Sequence, residues 1–122
     1  LTTPHILFAD DDPDTREMMG LFFQLAGFRV TMATSGAEVL GNFATEHFDA
    51  VVLDNWMPDS IGLDLCKQIR LGDSNTPIFF CSGLAHDSDI QAATEAGAQG
   101  YFSKPYDPDE LIDTLRTTLR IS

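Results

Sequence analysis

Five side chains in this sequence could do chemistry together: Asp10, Asp11, Asp54, Ser82 and Lys104. Each lies at the end of a short apolar run. Ile6-Leu7-Phe8-Ala9 ends in the acid pair, Ala50-Val51-Val52-Leu53 in Asp54, Ile78-Phe79-Phe80-Cys81 in Ser82, and Gln99-Gly100-Tyr101-Phe102 leads through Ser103 to Lys104. Runs of this length without a polar face read as strands buried on both sides. In an open parallel sheet the carboxyl ends of the strands lie along one edge, where ligands bind, so these residues are expected to converge. Three carboxylates brought together repel, since two unit charges about 4 Å apart cost roughly 4 kcal/mol at an effective dielectric of 20. A divalent cation removes that cost, and oxygen-only ligands favour Mg²⁺ over a softer metal. A carboxylate nucleophile, a hard cation, an ammonium and a hydroxyl donor together suit phosphoryl transfer through an aspartyl phosphate.

The elements that must position these groups can be read in order. Asp10-Asp11-Asp12-Pro13 ends the first strand and starts a helix, with Asp12 as N-cap and Pro13 at the first helical position. Met18, Leu21, Phe22 and Leu25 follow at i, i+3, i+4, i+7 and are expected to form its inward stripe, with Gly27 as the stop. Phe28 to Ala33 reads as a second strand, and Ser35 caps a helix bearing Val39, Leu40 and Phe43. Beyond Asp54, Pro58 imposes a turn, and Leu63, Cys66, Ile69 and Arg70 sit at helical spacing up to Gly72. Asp87 to Ala96 is a fourth helix with Ile90 and Ala93 as its apolar points. The last helix starts near Pro108 and turns Leu111, Ile112, Leu115 and Leu119 inward. Five strands alternating with five helices, with no repeat and no linker, predict a single α/β domain over residues 1–122 built on a parallel sheet.

Composition narrows the function. A net charge of -12 with only 7 basic residues argues against direct contact with nucleic acid, which needs Lys and Arg to neutralise phosphates. No apolar run approaches the ~20 residues of a membrane span and no basic-then-apolar signal segment opens the chain, so a cytoplasmic location is expected. Cys66 and Cys81 lack metal-ligand spacing and read as buried free thiols. Asp59, Asp64, Asp107 and Asp109 read as solvated or capping acids. The first residue is Leu1 rather than Met, consistent with a piece of a longer protein.

Over essentially its whole length the chain resembles a response-regulator receiver domain. The resemblance rests on Asp10-Asp11 after an apolar strand, Asp54 with Met57-Pro58 and Gly62 beyond it, Ser82-Gly83 after the fourth strand, and Lys104-Pro105. It implies a flavodoxin-like doubly wound sheet of order 2-1-3-4-5. It also implies that Asp54 accepts a phosphoryl group from a sensor histidine kinase or a histidine phosphotransfer protein. By the same resemblance Asp11, Asp54 and the backbone carbonyl of Trp56 would ligate Mg²⁺, with Asp10 acting through water. Lys104 would pair with the phosphoryl oxygens, Ser82 would hydrogen-bond one of them, and Tyr101 would be an aromatic switch that turns inward afterwards. The added charge would bias the face formed by the fourth helix, fifth strand and fifth helix, to be read by an output domain, a downstream protein or a dimer partner. Such a module modifies itself and turns over no external substrate.

The sequence departs from the family pattern in places. The loop after Pro58 reads Asp59-Ser60-Ile61-Gly62 where members usually carry glycine and end in Asp-Gly, and Asn55 is polar where many are apolar. Trp56 and Leu84 occupy positions that, in the family, govern attack by water on the phosphoryl group; their apolar bulk predicts slow self-dephosphorylation. A flavodoxin would need a hydroxyl- or glycine-rich loop after the first strand, and an aspartyl phosphatase a second acid where Trp56 stands. The remaining alternative is a pseudo-receiver that is never phosphorylated, though such modules usually lack the acid pair, the acceptor or the lysine.

Overall fold

The structure, a computed structural model, describes residues 3–83 and 86–120. Its elements are β1 (His5–Ala9), α1 (Pro13–Leu25), β2 (Arg29–Ala33), α2 (Gly36–Thr45), β3 (Ala50–Asp54), β4 (Trp56–Met57), β5 (Ser60–Ile61), α3 (Gly62–Gly72), β6 (Ile78–Ser82), α4 (Asp87–Glu95), β7 (Gly100–Ser103) and α5 (Pro108–Leu119). Five strands form one parallel sheet in the order β2-β1-β3-β6-β7. Counting its strands in chain order, this is the 2-1-3-4-5 arrangement expected of a doubly wound sheet. The short β4 and β5 pair with each other antiparallel, Trp56 opposite Ile61 and Met57 opposite Ser60, a hairpin where the sequence predicts only a turn at Pro58.

β1, β3 and β6 are buried along their whole lengths, and alternate side chains feed two cores. Leu7, Val51, Leu53 and Phe80 pack with Val39, Leu65, Cys66, Ile69 and Ala93 from α2, α3 and α4. Ile6, Phe8, Val52 and Phe79 pack on the other side with Met19 and Phe23 of α1 and Leu111, Ile112 and Leu115 of α5. Burial on both faces is why these strands read as unbroken apolar runs. Cys66 and Cys81 are free and buried.

The inward stripe of α1 is not the expected one. Met19 and Phe23 are fully buried, Phe22 is partly buried, and Met18, Leu21 and Leu25 point outward, Leu25 with 88% of its surface exposed. Met18-Met19 and Leu21-Phe22-Phe23 offer two overlapping helical faces, and spacing alone does not choose between them. The choice is made by aromatic packing. Phe23 lies edge-on to both Phe8, at 5.6 Å between ring centres, and Phe28, at 6.2 Å. A phenyl ring buries more surface than a leucine and gains from such edge contacts.

The ends of the helices follow local chemistry. Asp12 accepts the Thr15 N–H at 3.1 Å, and Ser35 accepts the Glu38 N–H at 3.2 Å. Asp107 caps α5 through the Asp109 N–H. Gly27, at φ +90°, turns the chain out of α1 where a side chain would be strained.

Candidate functional site

The carboxyl ends of β1, β3, β6 and β7 meet at one edge. In register Asp54 stands beside Cys81, and Ser82 beside Ser103, so the ends of three adjacent strands carry Asp54, Ser82 and Ser103-Lys104 side by side. Ligand oxygens of Asp10, Asp11 and Asp54 lie within 4.8 Å of one another. Asp10 and Asp54 are buried and Asp11 is exposed.

Each carboxylate is held differently. Asp10 accepts the Asp12 N–H at 2.9 Å on Oδ1 and the Lys104 ammonium at 2.9 Å on Oδ2. Its main chain is fixed as well, because the carbonyl accepts the Arg16 guanidinium at 2.9 Å and the N–H donates to the Ala33 carbonyl. Asp54 accepts the Trp56 N–H at 3.3 Å on Oδ1, and Lys104 Nζ stands 3.4 Å from its Oδ2. The Lys104 N–H donates to the Ser82 carbonyl at 2.8 Å, which ties the lysine's backbone to the neighbouring strand end.

Burial raises the Asp54 pKa above its ordinary 3.8, against the Trp56 N–H and the Lys104 charge, which favour the carboxylate. Burial alone would lower the Lys104 pKa, but the hydrogen bond and charge of Asp10, with Asp54 behind it, hold it above its ordinary value. Next to them the Cys81 thiol is pushed up to about 12 by burial, which makes it an inert neighbour and no nucleophile.

One ammonium, paired with two of three clustered carboxylates, leaves excess negative charge in a partly buried site whose metal donors are carboxylate oxygens. Those donors fit a hard divalent cation such as Mg²⁺. Ser82 is fully buried at the same edge. Tyr101 lies on β7, partly buried and stacked on Phe80 at 5.8 Å between ring centres. Trp56 is half exposed on the rim, and Leu84 lies outside the described residues.

Three residues around this edge do more than their places in the sequence suggest. Arg16 anchors the Asp10 main chain. Asp59 does cap, as one of the readings of the acids had it, but across the fold: it accepts the Gly36 N–H at 2.7 Å and the Ala37 N–H at 3.1 Å at the start of α2. Asn55 accepts the Leu63 N–H at the start of α3. Asp59 carries the signal of a capping acid, and Asn55 that of a stand-in, since Ile61 at that helix start has no side-chain oxygen with which to cap it.

The response regulator receiver domain model matches residues 6–116. The chain is 35% identical over 116 residues to the transcriptional regulatory protein CseB of Streptomyces coelicolor, covering 95% of this chain and 49% of the relative. It is 36% identical over 115 residues to response regulator MprA of Mycobacterium avium, covering 94% of this chain and 50% of that protein. The chain thus spans about half the length of the curated relatives it matches. The receiver domain of Francisella response regulator 1452 superposes with a TM-score of 0.93 at 30% identity, covering 97% of this chain and 98% of the other. The BeF3-activated DrrB receiver domain superposes at 0.90 with 28% identity, covering 98% and 99%. Among the described residues no helix is long and apolar enough to cross a membrane.

Proposed function

The chain belongs to the response-regulator receiver domains of two-component signalling, and on that premise we propose that Asp54 is its phosphoacceptor. The observation that carries the reading is the convergence of Asp10, Asp11 and Asp54 within 4.8 Å, with Lys104 beside two of them. An Asp54 oxygen attacks the phosphorus of a phosphohistidine on a sensor kinase or phosphotransfer protein. The P–N bond breaks, its electron pair stays on the imidazole, and that ring then takes a proton from solvent. Lys104 offers its ammonium to the transferred group. Asp11, Asp54 and the Trp56 carbonyl are the residues that would hold Mg²⁺, with Asp10 acting through a water. When bound, that cation neutralises charge on the phosphoryl oxygens and brings donor and acceptor together.

The product places new negative charge at a strand end beside Ser82. In this reading the Ser82 hydroxyl turns to the phosphoryl group, Tyr101 moves inward, and the α4, β7 and α5 face changes shape for a downstream protein, an output domain or a second copy. Residues 1–122 act as one receiver unit in the cytoplasm. Trp56 at the rim keeps water from the acyl phosphate, so the phosphorylated form is long-lived. The pseudo-receiver alternative loses ground because the acid pair, the acceptor and the lysine are all in place.

The test is intact mass after incubation with acetyl phosphate, with and without Mg²⁺, on wild type and Asp54→Ala. A gain of about 80 Da, one phosphoryl group, that needs both Mg²⁺ and Asp54 supports the proposal. No gain under conditions where Mg²⁺ binds would favour the pseudo-receiver.

A further inference from the structure

The loop between the acceptor strand and α3 is closed by one residue. Helix α3 starts at Gly62, and its N-cap position holds Ile61, which has no side-chain oxygen. A helix start leaves its first N–H groups without intrahelical partners, and a polar N-cap usually satisfies one of them. Here both bonds come from across the loop. The Asn55 carbonyl accepts the Gly62 N–H at 2.8 Å, and the Asn55 side-chain oxygen accepts the Leu63 N–H at 3.2 Å. The fit is close. A Cβ on Gly62 would stand 2.9 Å from the Asp54 carbonyl oxygen and 3.0 Å from the Asn55 Cα, so the helix start is pressed onto the acceptor's own peptide.

Between these ends the loop is a closed ring, with Trp56 opposite Ile61 and Met57 opposite Ser60. Trp56 in turn donates its N–H to Asp54 Oδ1 at 3.3 Å. A displacement of α3 from Asn55 therefore passes to Trp56 and from there to the acceptor carboxylate. We infer that Asn55 is a positioning residue for Asp54: it caps α3 in place of Ile61 and so fixes the loop that orients the acceptor. The inference rests on the phosphoacceptor reading of Asp54.

The experiment compares wild type, Asn55→Val, Asn55→Asp, Ile61→Asp and the double variant Asn55→Val/Ile61→Asp. Mg²⁺ binding is followed by fluorescence of Trp56, the single tryptophan, and folding by hydrogen exchange of the Leu63 amide and by thermal melting. Loss of a cap is worth about fivefold in an equilibrium constant. Asn55→Val is expected to speed Leu63 exchange, weaken Mg²⁺ binding about fivefold and slow phosphorylation by acetyl phosphate. Asn55→Asp keeps the capping oxygen and should keep the slow exchange. The double variant restores an acceptor at the N-cap and should recover both Leu63 protection and Mg²⁺ affinity. Faster exchange with unchanged Mg²⁺ affinity and phosphorylation would overturn the inference and leave Asn55 a structural cap only, as would a double variant that regains protection but not affinity. A wild type that binds Mg²⁺ yet takes no phosphoryl group would instead overturn the phosphoacceptor reading, with the Mg²⁺ and exchange comparison still deciding the role of Asn55.

Discussion

Lys104 stands nearer to Asp10 than to Asp54, with Nζ 2.9 Å from the first carboxylate and 3.4 Å from the second. Ninety-four residues separate Lys104 from Asp10 in the chain. Asp10 is also the more buried acid, so the lysine neutralises the charge that water reaches least. Removing it leaves that charge without its partner. Lys104→Met is expected to cost about 1–3 kcal/mol in urea unfolding, and Asp10→Asn in the same chain should recover most of the loss. Equal losses in the single and double variants would show that the pair does not carry the stability.

Asp54 should oppose folding when ionised. Because its folded-state pKa is raised, the folded protein holds the Asp54 proton more tightly than the unfolded chain does. Stability from this group is therefore present below the unfolded value and lost as pH rises through the raised one. Asp54→Asn should be more stable than wild type at pH 7 without Mg²⁺, and the advantage should fade as pH falls towards 4. Melting curves across that range test the sign. A variant less stable than wild type at pH 7 would contradict it.

Asp11 is exposed, so its loss should be felt in metal binding and hardly in folding. Asp11→Asn is expected to weaken Mg²⁺ binding by about tenfold or more, as removing a carboxylate proposed to ligate the metal should exceed the outer-shell effect, while the melting temperature stays close to that of wild type. Titration of Trp56 fluorescence reads the first and calorimetry the second. Undiminished Mg²⁺ affinity would remove Asp11 from the metal site.

The face that α1 turns inward can be tested by truncation. Phe23→Ala should cost about 3–5 kcal/mol, whereas Leu25→Ala should stay within about 0.5 kcal/mol. The reverse order would restore the stripe of Met18, Leu21, Phe22 and Leu25 that helical spacing suggests.

A tighter constraint governs the start of α2. The Cβ of an alanine at position 36 would overlap the Ser60 hydroxyl, so Gly36→Ala is expected to cost about 1–3 kcal/mol. Ser60→Gly in the same chain should return part of it. Denaturant midpoints distinguish this from the change in helix propensity, which has the opposite sign, since alanine is the better helix former and would otherwise stabilise.

What the sequence alone determined lies in short runs. The buried strands were legible because burial on both faces demands continuous apolar residues, and strands alternating with helices require a parallel sheet, whose carboxyl edge gathers Asp10, Asp11, Asp54, Ser82 and Lys104. Caps such as Asp12 and Ser35 were legible because their partners lie three residues away. Tertiary structure decided what depends on partners distant in the chain. It chose Phe23 over Leu25 through rings on β1 and beside β2, gave Lys104 first to Asp10, and sent Asp59 to α2 across 23 residues. It also let Asn55 cap a helix that begins at Gly62. Periodicity records that a helix has an apolar side and that a helix start needs an oxygen. Which side wins, and whose oxygen arrives, depends on how separate segments pack.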